Sequence, residues 1–214
     1  MIDFKELKVL IFDFGGVLID LDRDKSVAEF ERLGVKNASD MLSNYVQSGI
    51  FYLLESGQIS ADEFRDRLRE EYGIGHVTDD DIDAAFFAFL RTVPQHRIDF
   101  LRGLHAEGRR NRRGERIRIV LLSNTNVIHF PTCMHRFFES DGDRVTDFFD
   151  HLYLSYEMKM SKPDDDIFLA LAAAEGVEPG QCLFFDDGPA NVATAARLGF
   201  KTQLVTDDIT TYFL

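Results

Sequence analysis

An aspartate followed by two glycines ends the first apolar run of the sequence. Segment 11–18 reads IFDFGGVL, so Asp13 closes an apolar stretch, and Gly15 and Gly16 come two residues later. Open α/β folds bind ligands at the carboxyl edge of their parallel sheet, and glycines let the backbone turn sharply and approach a ligand closely. The motif therefore predicts a ligand-binding carboxylate. A turn residue that only ends a strand is the alternative interpretation.

Polar residues also end three later apolar runs. They are Ser123-Asn124 after Leu122, Lys159 and Lys162 after the run ending at Ser155, and Asp186-Asp187 after Phe185. Strands of a parallel sheet end on the same side, so these groups are expected to meet Asp13 in one crevice. Carboxylates suit Mg²⁺, whereas a hydroxyl, amide N–H groups and a lysine suit phosphate oxygens. The four segments together predict a site where Mg²⁺ and phosphate meet.

Five short apolar runs are expected to form the strands that carry these residues. Most are continuously apolar rather than alternating, which is typical of strands buried on both faces of a parallel sheet. Helix-like stretches at 164–175 and 189–198 separate later runs, which predicts an α/β class with a Rossmann-like parallel sheet. The runs are Lys8–Phe14, Ile117–Ser123, Leu152–Ser155, Cys182–Asp186 and Thr202–Val205.

The long interval between the first two runs indicates an inserted domain. About 100 residues separate them, where a crossover needs a few dozen, and 22–91 reads as helical throughout. Ser60 and Glu63 form a capping box for a helix through Tyr72, and a further helix is predicted over Asp79–Arg91. We therefore expect an α-helical cap domain at 21–93 and an α/β core at 1–20 and 94–214.

Composition excludes several classes of protein. The 214 residues carry 24 Lys+Arg and 37 Asp+Glu, a net charge of −13, which argues against a nucleic-acid binder. No apolar run is long enough to cross a bilayer, and the first residues lack the pattern of a secretory signal. With two cysteines and no disulfide framework, these features predict a cytoplasmic protein without membrane partners. Monomer and homodimer both stay open.

The four segments resemble those of the haloacid dehalogenase superfamily, in its Mg²⁺-dependent phosphatase branch. The insert resembles that family's helical cap, and the likeness covers most of the chain. The start DFGGV, the segments LSNTN and FFDD, and the Lys-Pro pair are most similar to the α-D-glucose-1-phosphate phosphatase type. The resemblance implies a phosphomonoester hydrolase that acts through an aspartyl-phosphate on a small phosphorylated metabolite, a sugar phosphate such as glucose 1-phosphate.

The resemblance also implies a role for each matching residue. Asp13 matches the nucleophile, which also binds the metal, and Lys162 matches the lysine that neutralises nucleophile and phosphate. The remaining matches are Ser123 and Asn124 as contacts of the transferring phosphoryl group, Asp187 as metal ligand, Asp186 as ligand or support, and Gly15 as a backbone-carbonyl ligand.

Gly15 departs from the pattern of most phosphatases of this superfamily. They carry a second aspartate two residues after the nucleophile, as general acid and base, whereas the glucose-1-phosphate phosphatase type shares the glycine. Losing a general acid costs roughly 10²–10⁴-fold in rate, and less with a good leaving group. Asp20 and Asp22 are candidates to replace the acid, although hinge or capping roles are the preferred interpretation.

Two other functions stay open beside the phosphatase. A metal-independent haloacid dehalogenase also attacks through an aspartate, but it leaves the Asp186-Asp187 pair unexplained. A regulator that binds Mg²⁺ and a phosphorylated ligand without turnover is the second. His129 and His135 are expected on a surface helix without catalytic roles, and the Arg-rich segment 102–118 is expected to be a solvated loop or a docking patch for an acidic partner.

Overall fold

Five parallel strands form one sheet in the order β3-β2-β1-β4-β5, so the strand that precedes Asp13 lies at its centre. This architecture comes from a computed structural model that describes residues 2–43, 49–138 and 144–213. The predicted α/β class with a Rossmann-like parallel sheet is confirmed. The strands are β1 (Val9–Phe12), β2 (Arg118–Ser123), β3 (His151–Leu154), β4 (Cys182–Asp186) and β5 (Lys201–Leu204).

Alternate residues of the central strands pack on opposite faces of the sheet, because successive side chains of a strand point in opposite directions. On one face, Leu10 and Phe12 join a cluster with Leu101 and Leu104 of the helix that follows the insert. On the other face, Val9 and Ile11 pack against Phe168 and its neighbours. Layers on both sides explain why these strands read as continuously apolar.

Ten α-helices occur among the described residues. They are α1 (Arg23–Arg32), α2 (Ala38–Ser43), α3 (Ile50–Glu55), α4 (Ala61–Tyr72), α5 (Asp79–Phe87), α6 (Gln95–Glu107), α7 (His129–Cys133), α8 (Ser155–Met158), α9 (Asp165–Glu175) and α10 (Pro189–Arg197). Met134–Phe138 continues α7 as a π-helical turn. Among the described residues, no helix is long and apolar enough to cross a membrane.

The helices α1 to α5 build a hydrophobic core of their own. Phe30, Phe51, Phe64 and Phe86 are fully or almost fully buried there, and their rings meet mostly edge to face. The Ser60 hydroxyl accepts the Glu63 N–H, which is one of the two hydrogen bonds of the predicted capping box. Within the described part of 21–93, no strand joins the sheet.

Several predicted boundaries were wrong by a few residues. The first strand was predicted over Lys8–Phe14 but covers only Val9–Phe12. It ends early because the Phe14 N–H donates to the Asp13 carboxylate, at 2.7 Å, instead of to a neighbouring strand. Asp79–Arg91 ends at Phe87 because the following backbone pairs with the chain entering the insert: Asp22 N–H donates to Phe89 and Arg91 N–H donates to Asp20. The other strands and helices for which bounds were predicted differ from the prediction by at most one residue at an end.

Several arginines of segment 102–118 form ion pairs or ring contacts within the chain. Arg118 pairs with the buried Glu175, Arg116 pairs with Asp150, and the Arg109 guanidinium lies over the ring of Phe4. These contacts fasten the segment to the sheet and to the N-terminal residues. They leave Arg109 and Arg118 half-buried, which differs from the predicted solvated loop, whereas Arg116 is exposed as that interpretation predicts.

Candidate active site

Lys162 lies between two carboxylates at the carboxyl edge of the sheet. Its ammonium is 2.7 Å from Asp13 Oδ1 and 2.6 Å from Asp186 Oδ2, and all three side chains are buried. Burial alone would lower the pKa of Lys162, but the two carboxylates raise it above its ordinary value. Lys162 is therefore a cation, placed by geometry to neutralise charge at Asp13.

Asp13 stands directly after β1, in register with Asp186 of β4, because Phe12 pairs with Phe185. Burial raises the pKa of Asp13, and the nearby Asp186 and Asp187 add to this effect against the opposing pull of Lys162. The three carboxylates and one ammonium carry a surplus of two negative charges when ionised. A divalent cation would balance that surplus.

The donor set of this cluster fits Mg²⁺. One carboxylate oxygen from each of Asp13, Asp186 and Asp187 lies within 4.8 Å of the others. Gly16 permits this approach: its φ is +71°, and a Cβ atom there would lie 2.0 Å from Asp187 Oδ2. Hard oxygen ligands with room left for water and phosphate are what Mg²⁺ requires.

Asp186 differs from Asp187 in how completely the protein occupies its oxygens. Oδ1 accepts the Gly188 N–H at 2.7 Å and the Asn191 amide at 2.9 Å, and Oδ2 accepts the Lys162 ammonium. Asp186 is fully buried, whereas Asp187 is exposed. These contacts favour a supporting role for Asp186 and leave Asp187 better placed as a direct ligand.

Ser123 and Asn124 follow β2 at the same edge and line the same cavity as Asp13. The Asn124 side chain forms two hydrogen bonds with the Lys162 backbone: its amide donates to the carbonyl at 2.8 Å, and its oxygen accepts the N–H at 2.9 Å. Asn124 therefore positions Lys162, in addition to any contact that it makes with phosphate. Lys159, the competing lysine, is exposed at the end of α8.

Asp20 and Asp22 have structural partners. Asp20 pairs with Arg97 at 2.8 Å, and Asp22 caps α1 through the Lys25 N–H and pairs with Arg91 at 3.0 Å. The Lys25 hydrogen bond is the main reason why the pKa of Asp22 is lowered. Neither residue lines the cavity around Asp13, so the preferred interpretation as hinge and capping residues fits the geometry.

A cavity of about 240 Å³ opens beside these groups. At liquid density it has room for roughly eight water molecules, a size that suits a small metabolite. Part of its wall comes from the insert and the segments that join it. Beyond the predicted residues, the cavity is lined by Phe14, Leu21, Glu55, Phe89, Leu90, Thr125, His129 and Asn191.

The sequence reasoning missed Glu55, His129 and Asn191. Asn191 lies in the first turn of α10, five residues after Asp186, and donates to the carboxylate of Asp186. His129 begins α7 but is buried, so its expected surface position was wrong, whereas His135 is exposed. Its ring stacks on Phe86 at 3.9 Å between centroids and hydrogen-bonds to the Phe86 backbone. Burial lowers the pKa of His129 to about 4, so it is neutral at pH 7.

The sheet order, the carboxylate cluster and the helical insert are features that this chain shares with a known family of hydrolases. The sequence model of the haloacid dehalogenase-like hydrolases matches residues 7–199, and the chain belongs to that family. The resemblance to this superfamily is thereby confirmed, and the chain is an enzyme of the hydrolase class.

Two relatives from Bacteroides thetaiotaomicron are similar over nearly the whole chain. A D-ribitol-5-phosphate phosphatase is 37% identical over 196 residues, 92% of this chain and 90% of the relative. The crystal structure of a HAD family enzyme, in complex with magnesium and inorganic phosphate, is 36% identical with a TM-score of 0.84, over 97% of this chain and 100% of the other.

Two further structures place the fold more broadly. A HAD-like family hydrolase from Porphyromonas gingivalis is 39% identical with a TM-score of 0.80, over 92% of this chain and 90% of the other. The L-2-haloacid dehalogenase RSc1362 is 18% identical with a TM-score of 0.60, over 92% of this chain and 85% of the other, a likeness of fold alone.

Proposed function

We propose that this protein is a Mg²⁺-dependent phosphatase that hydrolyses the monoester of a small polyol or sugar phosphate through an aspartyl-phosphate on Asp13. The observation that carries the proposal is the buried contact of Lys162 with Asp13 and Asp186, beside Asp187. The predictions of phosphatase chemistry and of Mg²⁺ are confirmed at the level of the relatives, one named as a phosphatase and one bound to magnesium and phosphate.

Asp13 and Lys162 would carry the first chemical step. A carboxylate oxygen of Asp13 forms a bond to phosphorus while the bond from phosphorus to the leaving oxygen breaks, and the leaving oxygen takes up a proton from solvent water. Lys162, 2.7 Å from Asp13 Oδ1, reduces the repulsion between the carboxylate and the phosphate dianion. Ser123 and the Asn124 N–H are the proposed contacts for the equatorial phosphate oxygens, where charge accumulates in the transition state.

The second step returns Asp13 to its carboxylate form. Water attacks the phosphorus of the aspartyl-phosphate, the bond to the Asp13 oxygen breaks, and inorganic phosphate leaves. Asp13, Asp187 and the Gly15 carbonyl are the proposed metal ligands, with Asp186 as a further ligand or as the support of Lys162. When bound, Mg²⁺ supplies positive charge that stabilises the phosphate oxygens.

If the chain forms two domains, the active site lies between a core domain and a cap domain that can move relative to it. We propose a core of 1–20 and 94–214 and a helical cap of 21–93. The separate hydrophobic cluster of the insert supports this division. So does the pairing of Asp22 with Phe89 and of Arg91 with Asp20, which brings the two connecting segments together. Closure of such a cap would exclude bulk water from the phosphorylated aspartate.

D-Ribitol 5-phosphate is the first substrate to test, because the 37% identical relative is named for it. Glucose 1-phosphate stays a prediction from the sequence resemblance, since the relatives described above are not named for it. Both are small phosphate monoesters with several hydroxyl groups, which agrees with a cavity of about 240 Å³.

The test is release of inorganic phosphate from both compounds, with Mg²⁺ and with a chelator, by wild type, Asp13→Asn and a control. The control Asp80→Asn changes an exposed aspartate of α5. We expect Mg²⁺-dependent turnover by wild type and control and none by Asp13→Asn, because an amide cannot attack phosphorus. Metal-independent release of halide from a 2-haloacid would favour the dehalogenase, and tight binding of phosphate compounds without turnover would favour the regulator.

A further inference from the structure

Two consecutive glycines follow the proposed nucleophile, in a tight turn of the backbone. Gly16 has a φ of +71°, and its N–H donates to the Ile19 carbonyl at 2.9 Å. The Ile19 N–H donates back to the Phe14 carbonyl at 3.0 Å. Glycine loses more conformational freedom on folding than any other residue, so a Gly-Gly pair keeps one shape only when its surroundings fix it. The Gly15 carbonyl, a proposed metal ligand, belongs to this turn.

Arg97 of α6 contacts the outer end of this turn through one side-chain nitrogen. Its Nη1 atom donates to the Leu18 carbonyl at 3.3 Å and to Asp20 Oδ1 at 2.8 Å. Leu18 is fully buried, and only 11% of the Arg97 side chain is exposed. The Asp20 carbonyl also accepts the Arg91 N–H, at 2.9 Å. Arg97 thus fastens the stretch between Asp13 and the insert to helix α6.

A second carboxylate orients Arg97 from the other side. The Arg97 Nε atom donates to Asp208 Oδ2 at 2.9 Å, and His96 Nε2 lies 2.7 Å from the same oxygen. Burial alone would raise the pKa of Asp208, but hydrogen bonds to Thr210 and to these two neighbours hold it well below its ordinary value. Asp208 is therefore an anion, and the planar fork of a guanidinium can meet two carboxylates and a carbonyl at once. Arg97 links the segment after β5 to the turn that contains Gly15.

We infer that Arg97 is a positioning residue, which holds the turn at residues 14–19 so that the Gly15 carbonyl stays in place to bind Mg²⁺. This inference rests on the proposed function and goes beyond it, because Arg97 belongs neither to the carboxylate cluster nor to the lining of the cavity. Without Arg97, binding of the metal would also have to order a turn that contains two glycines, and that ordering weakens affinity. Replacing a group that supports a metal ligand commonly lowers metal affinity by about 10–100-fold.

The experiment measures Mg²⁺ affinity by calorimetry, in the absence of substrate, for wild type, Arg97→Gln and the control Arg118→Gln. The control breaks an ion pair with the buried Glu175, at the opposite end of β2 from Ser123. Both variants should lose free energy of unfolding in urea, because each leaves a carboxylate without its arginine. We expect Arg97→Gln to raise the Kd for Mg²⁺ about 10-fold or more, whereas Arg118→Gln should match wild type.

Arg97→Lys carries the test if Arg97→Gln does not fold. Its ammonium keeps a positive charge near Asp20 and Asp208 but lacks the planar fork, so this variant should fold and still bind Mg²⁺ more weakly than wild type. A wild-type Kd for Mg²⁺ in every Arg97 variant that folds would overturn the inference, even if KM for the substrate rises. An equal rise of Kd in Arg118→Gln would also overturn it, because the effect would then be general destabilisation.

Measuring metal binding without turnover separates this inference from the proposed function. If the wild type binds Mg²⁺ but hydrolyses no phosphate ester, the proposed function fails, while a selective loss of Mg²⁺ affinity in Arg97→Gln still supports the role of Arg97. Turnover by wild type together with unchanged Mg²⁺ affinity in the Arg97 variants contradicts the inference alone. A wild type that binds no Mg²⁺ overturns both, because the Gly15 carbonyl then has no metal to bind.

Discussion

Replacing the buried His129 with phenylalanine should remove part of the protein's sensitivity to acid. The imidazole lies against the ring of Phe86 and is only 4% exposed, and burial lowers its pKa from 6.5 to about 4. His129→Phe keeps a ring against Phe86 and removes the titrating group. The perturbation therefore isolates the coupling between protonation of this residue and folding.

The sign and size follow from the two pKa values. The unfolded chain takes up a proton at His129 near pH 6.5, whereas the folded chain resists it down to about pH 4. The free energy of unfolding contributed by this residue is complete above pH 6.5 and is lost as the pH falls toward 4. At 1.36 kcal/mol per unit, the loss approaches about 3 kcal/mol, of which about 2.5 kcal/mol should be gone at about pH 4.5.

Urea unfolding of both proteins at neutral pH and at about pH 4.5 measures this coupling, because the carboxylates common to both proteins cancel in the difference. We expect wild type to lose about 2.5 kcal/mol more than His129→Phe between the two conditions. The exposed His76, changed to phenylalanine, serves as control and should track wild type. Parallel losses in wild type and His129→Phe would refute the idea that His129 is buried in its neutral form.

Three further predictions concern single positions. Gly57→Ala should lower the free energy of unfolding in urea by about 1–3 kcal/mol, because its positive φ and the Tyr156 carbonyl leave no room for a methyl group. Glu175→Gln should cost about 3 kcal/mol by the same measurement, since its buried carboxylate accepts hydrogen bonds from Arg118 and Tyr153. Gly15→Asp should fold, because its Cβ would meet only Leu21 methyls at 3.6 Å, and should speed initial hydrolysis of alkyl phosphates more than of aryl phosphates.

Matched variants sharpen these three tests. Gly75→Ala has open space around its Cβ and should be close to neutral, so an equal cost at both glycines would contradict the steric argument. Glu157→Gln changes an exposed glutamate of α8, and a similar loss there would show that Glu175 is not special. A Gly15→Asp enzyme that accelerates both ester classes equally would exclude the missing acid as the limiting factor.

The strand ends were predictable because their signals are local. Continuous apolar runs give the parallel sheet, and a parallel sheet gathers Asp13, Ser123 and Asp186 at one edge regardless of what separates them in sequence. The role of Lys162 was predicted from the family resemblance, because it stands directly before Pro163. Its contacts with Asp13 and Asp186 agree with a role in neutralising negative charge. These residues could be predicted from the sequence without knowing how the helices pack.

Glu55 and His129 were not predictable because only tertiary packing brings them to the cavity. Glu55 reaches it through the docking of α3 on the start of α8, where the hydroxyl of Ser155 donates to the carbonyl of Glu55, 100 positions away in sequence. His129 is buried because Phe86 of the insert covers it, and its own segment gives no sign of that neighbour. The early end of α5 has the same origin, since its backbone turns to meet residues 20–22.

The central position of β1 has a consequence for how the protein is made. Its two neighbours, β2 and β4, follow it by more than 100 and about 170 residues, so the strand that is synthesised first is enclosed on both sides only after β4 has been made. At roughly 5–20 residues per second, one edge of this apolar VLIF segment waits about 10–35 s for its partner to leave the ribosome. Until then Asp13 has neither Asp186 nor Asp187 beside it, and a chain that stops short of β4 presents an open, fully apolar strand edge to the cell.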